Sequence, residues 1–406
     1  MVPNKDGKKW WILTGLWLLY ASFGLIVASV APLVGEIGEG LNVSYAAMGS
    51  IMGAWQLVYI FCAIPCGILL DRIGGRRALL LGALLVAASA AGRAVAEGYW
   101  SLLAAVMLFG LGGPIISSGA PKVVAELFEG AERGMAMGIY MTGPAIGGVI
   151  CLTLTQSYLL PLFDMDWRGV MWLWSGCAAF AGIAWWGIGA LFGLTEERDS
   201  VVSPRVPQLQ IMRRLLDATA VKIVLLMSVG VFLYNHGLNN WLPQLLQAGG
   251  KSPVEAGFWA ALPTVVGIVG SLLIPRLATP ARRFRILILL CVVAVLATIL
   301  LHSQNEINLS VGLVLQGIAR SSLMTVLVLT LVELPGIGER YAGVASGLFF
   351  TAAEVGGVLG PLGIGVVYDV TGAFTLALTI LTGVAALLLL GALYLNRLSS
   401  RGAAAD

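Results

Sequence analysis

The sequence predicts an all-α membrane protein: twelve transmembrane helices in two pseudo-symmetric six-helix bundles. Three observations predict it. The 406-residue chain is 58% apolar and 11% charged, whereas a soluble domain carries roughly 25% charged residues. Long apolar segments fall near residues 11–35, 45–70, 78–96, 100–125, 134–162, 168–194, 219–247, 254–278, 284–304, 307–334, 341–368 and 372–396. Each is long enough for a helix rising about 1.5 Å per residue to cross a hydrocarbon core of roughly 30 Å. Finally, landmarks of the first half return in the second at a near-constant offset. In lipid such segments read as helices, because a helix satisfies every backbone N–H and C=O within the segment.

At the start of the chain, Lys5, Lys8 and Lys9 precede Trp10-Trp11 and an apolar run longer than a signal sequence needs, so this reads as a retained first helix. The second and third segments are divided by a tight charged turn, Gly67-Ile-Leu-Leu-Asp71-Arg72-Ile-Gly74-Gly75-Arg76-Arg77, short enough to make them antiparallel neighbours. Six segments complete a first bundle over residues 1–194. The longest polar connection, from Thr195 to Asp217 with Pro204 and Pro207, marks a cytoplasmic linker at 195–218, and the second bundle occupies 219–406. Glu132-Arg133 returns 207 residues later as Glu339-Arg340, Ser44 returns 208 later as Ser252, and Gly147-Gly148 returns 209 later as Gly356-Gly357. A shared offset with both halves starting on one side implies parallel repeats about an axis along the membrane normal. Small residues in the fifth and eleventh segments permit close helix packing, and Pro144 bends the fifth.

Charge sets the orientation. Nineteen of the twenty-four Lys and Arg fall in or beside segments that are cytoplasmic when both termini are cytoplasmic. Only Arg93, Arg168 and Lys251 lie on the outer side, while Lys122 sits near an inner helix end, paired with Glu126 one turn on, and Arg320 lies within the membrane. This is the positive-inside pattern of a multi-pass inner-membrane protein, and the net charge of +3 is that bias in sum, with no nucleic-acid partner implied. Trp10, Trp11, Trp100, Trp167 and Trp241 fall near segment ends as interfacial anchors. The five cysteines form neither a disulfide framework nor a CxxC pair. No P-loop, HExxH or Ser/His/Asp arrangement is present, and two histidines 66 residues apart offer no metal site, so neither enzyme, cofactor nor metal is expected.

The turn from Gly67 to Arg77 resembles the cytoplasmic signature G-x-x-x-D-R-x-G-R-R of the major facilitator superfamily of secondary transporters, with one extra residue before the arginine pair. Gly67, Asp71, Arg72, Gly74, Arg76 and Arg77 then form its gating motif. The resemblance implies that Asp71 sits against the N-terminus of the eleventh helix, near Tyr341, with Gly67 allowing close approach, a carboxylate-to-helix contact worth about 0.3–2 kcal/mol. The second copy of the turn, Pro275-Arg276 to Arg282-Arg283, keeps the basic residues without an aspartate. Gly143-Pro144 through Gly147-Gly148 resembles the family's G-P-x-x-G-G element, often described for antiporters, although packing alone accounts for most of it.

Burying an ionisable group at mid-membrane is costly, which makes such groups functional candidates. Arg320 lies about 13 residues, roughly 20 Å, from the outer start of the tenth helix, and Glu354 the same rise from the inner start of the eleventh. Two readings stand: Arg320 faces a cavity and holds a carboxylate through its planar fork of donors, or it is neutralised by Glu354. Competition between a substrate anion and Glu354 for Arg320 would couple transport to protons. The seventh helix carries Tyr234-Asn235-His236-Gly237-Leu-Asn239-Asn240-Trp241-Leu-Pro243. Asn235 and Asn239 share one face and either line a cavity or hydrogen-bond between helices; His236 either carries a proton or is a satisfied structural residue. In the first half the candidates are Tyr20, Gln56, Tyr59, Ser117 and Tyr140, and by resemblance the first, fourth, seventh and tenth helices line the cavity.

The expectation is a monomeric, proton-coupled permease for a small organic or inorganic anion, similar to the cyanate- and organic-anion-type members of that superfamily. The alternative is a proton-driven efflux antiporter for drugs or metabolites, with Glu354 binding the proton. The partners implied are an anionic small molecule, protons and the lipid bilayer.

Overall fold

The computed structural model describes residues 5–192, 208–334 and 338–402; most of the expected linker, residues 195–207, lies outside them. Among the described residues, twelve helices are long and apolar enough to cross a membrane. They are α1 (Lys5–Ala28), α2 (Tyr45–Ile73), α3 (Gly75–Ala94), α4 (Tyr99–Leu127), α5 (Gly130–Leu154), α6 (Trp167–Phe192), α7 (Thr219–Ala248), α8 (Pro253–Leu277), α9 (Arg283–Leu300), α10 (Glu306–Val332), α11 (Gly338–Thr371) and α12 (Thr375–Gly402). The shortest, α9, has 18 residues, about 27 Å at the standard rise.

Two expected segments are less regular than their apolar runs. The helix α1 ends at Ala28, a single turn of Ala31–Leu33 containing Pro32 follows, and a separate helix covers Val34–Leu41. Near its far end α5 widens into a π turn at Thr155–Leu159. There the Gln156 amide donates to the Pro32 carbonyl (2.6 Å) and to Glu36 Oε1 (2.7 Å), tying α5 to the broken end of α1.

The serine landmarks of the repeat are helix caps. Ser44 Oγ accepts the Ala47 N–H at 3.3 Å and starts α2. Ser252 Oγ accepts the Glu255 N–H at 3.3 Å while Glu255 Oε2 accepts the Ser252 N–H at 2.9 Å, a reciprocal cap that starts α8.

The chain packs as two compact units. Unit 1 is Met1–Val201 with Lys251–Ala261, and unit 2 is Val202–Gly250 with Leu262–Asp406. In unit 1, α1 packs on α5 and α6, α3 on α4 and α6, and α2 on α4. Within unit 2 the partners six helices later repeat this scheme: α7 packs on α11 and α12, and α9 on α10 and α12. The glycine landmarks explain why. A Cβ on Gly147 would fall 2.0 Å from the Ala21 carbonyl oxygen, and one on Gly356 would fall 1.9 Å from that of Val229. Gly110 meets the Trp55 carbonyl and Gly317 the Pro263 carbonyl, both at 2.5 Å. Each pair of contacts is the same crossing in the two repeats, and at each the backbones touch with no room for a side chain.

Several expected surface roles change. Arg93 is fully buried: its guanidinium donates to the Ile26 carbonyl and Ser29 Oγ (both 2.9 Å) and to Ser89 Oγ (3.3 Å), closing the carbonyl end of α1. Trp167 and Trp241 are buried rather than interfacial, and Trp241 Nε1 donates to the Pro361 carbonyl at 2.8 Å. Trp11 and Trp100 are exposed as anchors should be.

Candidate functional site

The candidate residues of unit 2 stand on three helices, α7, α10 and α11, that pack on one another. On α10, Arg320 is half-buried and donates through Nη1 to Thr264 Oγ1 on α8 at 2.9 Å. The α8–α10 glycine crossing at Gly317 brings Thr264 within reach. That hydroxyl is neutral, so it orients the guanidinium without cancelling its charge, and the other N–H donors of the fork remain. Glu354 on α11 is 6% exposed, and its Oε2 has no hydrogen-bond partner. No ion pair joins Arg320 to Glu354; of the two readings of the pair, the neutralising bridge is absent from this conformation.

On α7, Asn235 is buried with Oδ1 unpartnered, while Asn239 is half-buried. The His236 ring lies 5.3 Å from that of Phe232. Asn240 is spent locally, its amide donating to the His236 carbonyl at 2.8 Å. Tyr234 turns the other way, to the Ala294 carbonyl of α9. One residue missed in the sequence stands on the same helix: Gln316, fully buried one turn before Arg320, with neither amide atom hydrogen-bonded.

In unit 1, four of the five candidates meet in a continuous aromatic wall. Tyr140 of α5 contacts Tyr20 of α1 (ring centroids 5.3 Å apart), Tyr20 contacts Phe23 (5.6 Å), and Phe23 contacts Phe109 of α4 (5.0 Å). Phe109 then meets Trp55 of α2 (5.5 Å), Trp55 meets Tyr59 (6.1 Å), and the Tyr59 hydroxyl bonds to Ser117 Oγ at 2.9 Å. Gln56, the fifth candidate, is fully buried on α2, next to Trp55 in the chain. Phe23 and Phe109 carry no sequence signal that separates them from ordinary core aromatics.

At the charged turn, Gly74 closes α2 with φ of 82°, a left-handed conformation that glycine adopts without strain. Arg72 and Arg77 are exposed. Asp71 Oδ1 pairs with Lys122 Nζ of α4 at 2.7 Å, so Lys122 reaches across to α2 instead of along its own helix to Glu126. Arg76 is committed to α6: it stacks on the Trp186 ring at 3.9 Å and donates to the Trp186 carbonyl, and its own carbonyl accepts from Trp185 Nε1. Within the described residues Gly67 faces open space, and a Cβ added there would meet nothing within 4 Å. The side chains at 338–342, including Tyr341, lie outside the described ones. Arg133 satisfies carbonyls at the end of α4, donating to Ala125 O at 2.9 Å and Phe128 O at 2.8 Å, while Glu132 of the same landmark pairs with Lys9 Nζ at 2.6 Å.

Similarity to known proteins covers most of the chain. A sequence profile of the Major Facilitator Superfamily matches residues 16–361. A probable galactarate/D-glucarate transporter of Escherichia coli K12 is 24% identical over 313 residues, covering 67% of this chain and 66% of its own. A quinolone resistance transporter of Acinetobacter baumannii is 25% identical over 388 residues, covering 89% and 87%. Among solved structures, that of a nucleoside transporter, NupG, superimposes with a TM-score of 0.78 at 12% identity, covering 95% of this chain and 99% of that one.

Proposed function

The chain belongs to the Major Facilitator Superfamily, a family of membrane transporters rather than enzymes, and from that premise we propose that it carries a small organic anion, carboxylate-like, in proton-coupled symport by alternating access. The observation that carries this reading is Arg320: a guanidinium inside a transmembrane helix, oriented by Thr264 and left uncancelled by Glu354. A cation kept so in an apolar span attracts an anion and repels a cationic cargo. Asn235, Asn239 and His236 on α7 are the further substrate contacts of unit 2, and Tyr20, Gln56, Tyr59, Ser117 and Tyr140 those of unit 1. Glu354, the buried carboxyl of α11, takes the coupling proton, with His236 as the second titratable group. The turn from Gly67 to Arg77 gates one side. The protein works as a monomer in the inner membrane with both termini cytoplasmic.

Uptake of labelled carboxylates by proteoliposomes, with and without a pH gradient, tests this. Carboxylate flux should accelerate with an inward proton gradient. Arg320→Ala should weaken apparent affinity by about 10- to 100-fold, the worth of a hydrogen bond to a charged group; unchanged affinity would sink the anion reading. A second reading, proton-driven efflux of lipophilic drugs or metabolites, is favoured by the aromatic wall of unit 1 and the similarity to a quinolone resistance transporter. Flux of lipophilic cations that requires Glu354 and ignores Arg320 would establish it instead.

A further inference from the structure

We propose that Gln316 recognises a hydroxyl group of the cargo beside the carboxylate held by Arg320, so that the transported anion is a hydroxylated acid. The inference rests on the reading of Arg320 as the anion anchor. Gln316 is wholly buried on α10, and both Oε1 and Nε2 lack a hydrogen-bond partner. Its neighbours along the helix, Leu313, Ala319 and Leu323, are fully buried and apolar. A carboxamide stripped of water with both ends unsatisfied burdens a fold, and methionine, of similar length and shape, would fill the same space without that burden.

Position gives the orphaned amide its role. Residues i and i+4 on a helix place their Cβ atoms about 5–6 Å apart, so Gln316 and Arg320 stand one turn apart on the same face of α10. Two further buried, unpartnered oxygens belong to the helices packed against α10: Asn235 Oδ1 on α7 and Glu354 Oε2 on α11.

Chemistry then selects the cargo. A carboxamide offers one acceptor and one N–H2 donor group side by side. A plain carboxylate only accepts, so it satisfies Nε2 and leaves Oε1 orphaned, while an alkyl chain satisfies neither. A hydroxyl both donates and accepts, and one on a carbon near the carboxylate meets both needs while Arg320 holds the charge. A site built to hydrogen-bond a hydroxyl rejects the analogue that lacks it, since the buried polar group is then left unpaired.

Matched acid pairs test the proposal in proteoliposomes: galactarate against adipate, gluconate against hexanoate, lactate against propionate, each labelled. Wild-type protein should take up the hydroxylated member of at least one pair with a KM at least about tenfold lower, the worth of one buried hydrogen-bonding group. Gln316→Met should cut that preference about tenfold by raising the KM of the hydroxylated acid more than that of the plain one, and should melt at the same or a higher temperature; Gln316→Leu is the second variant and should do the same. Three results overturn the proposal: no hydroxyl preference in the wild type, a preference that survives in both variants, or a parallel loss for both members of a pair with a lowered melting temperature. If Arg320→Ala weakens both members and the Gln316 variants weaken neither, this proposal alone falls. If no acid of the panel is transported by the wild type, the anion reading falls with it.

Discussion

Arg320 and Glu354 stand on adjoining helices of one unit, yet each is left without the other. An isolated charge in an apolar span is costly, so a buried carboxyl with no cation beside it is held more readily in its protonated, neutral form. If Glu354 carries the coupling proton, Glu354→Gln should leave downhill exchange of the carboxylate intact while abolishing its acceleration by a pH gradient, measured as flux with and without that gradient. Backbone conformation makes a second demand at this scale. Gly74 holds φ of 82° and ψ of 157° at the end of α2, so Gly74→Ala should destabilise the protein by about 1–3 kcal/mol, read as a lowered melting temperature in detergent. Arg320 and Glu354 are legible in the sequence because ionisable residues stand out in apolar runs. Gln316 and Thr264 are not, because what distinguishes them is a partner gained or missing, and neither is written in residue type.

Helices in this protein are spaced by glycine against carbonyl. Since a Cβ on Gly356 would fall 1.9 Å from the Val229 oxygen, Gly356→Ala should push α11 off α7 and cost at least about 1–3 kcal/mol. Gly148, beside its counterpart Gly147 but facing open space, should accept alanine with little change in the same melting assay. The offset of the glycine and serine landmarks is legible in sequence, and the structure supplies their meaning as crossings and caps. Hydropathy hides at this scale where an apolar run stops being one helix: the break after Ala28 is marked only by Pro32, whose ring clashes with the carbonyl four residues earlier, and the π turn at Thr155–Leu159 carries no break in the apolar run. Between elements, Asp71 and Lys122 tie α2 to α4 at an exposed position. An exposed pair is worth about 0–1 kcal/mol, so a double-mutant cycle with Asp71→Asn and Lys122→Met should show weak coupling in stability. A larger coupling in transport rate would assign the pair to gating.

At the scale of the whole molecule, the distribution of Lys and Arg predicts which loops face which compartment. Single cysteines introduced at Asp164 and at Arg282 in a background without the five native thiols should react with an impermeant maleimide from opposite sides, Asp164 from outside; the reverse pattern would invert every orientation assigned above. The number of spans and the duplication are legible from composition and spacing because lipid leaves so few ways to fold. Cargo is not legible in the same way, since it depends on a handful of side chains among hundreds. The recurring glycine-to-carbonyl crossings carry a consequence for anyone wishing to redesign the cargo. At those crossings main chain, not side chain, sets how close α1 comes to α5 and α7 to α11, so the frame depends less on whatever lines its other faces. Re-engineering should therefore leave those glycines alone and vary the stripes through Tyr20, Asn235 and Gln316 with residues of similar volume.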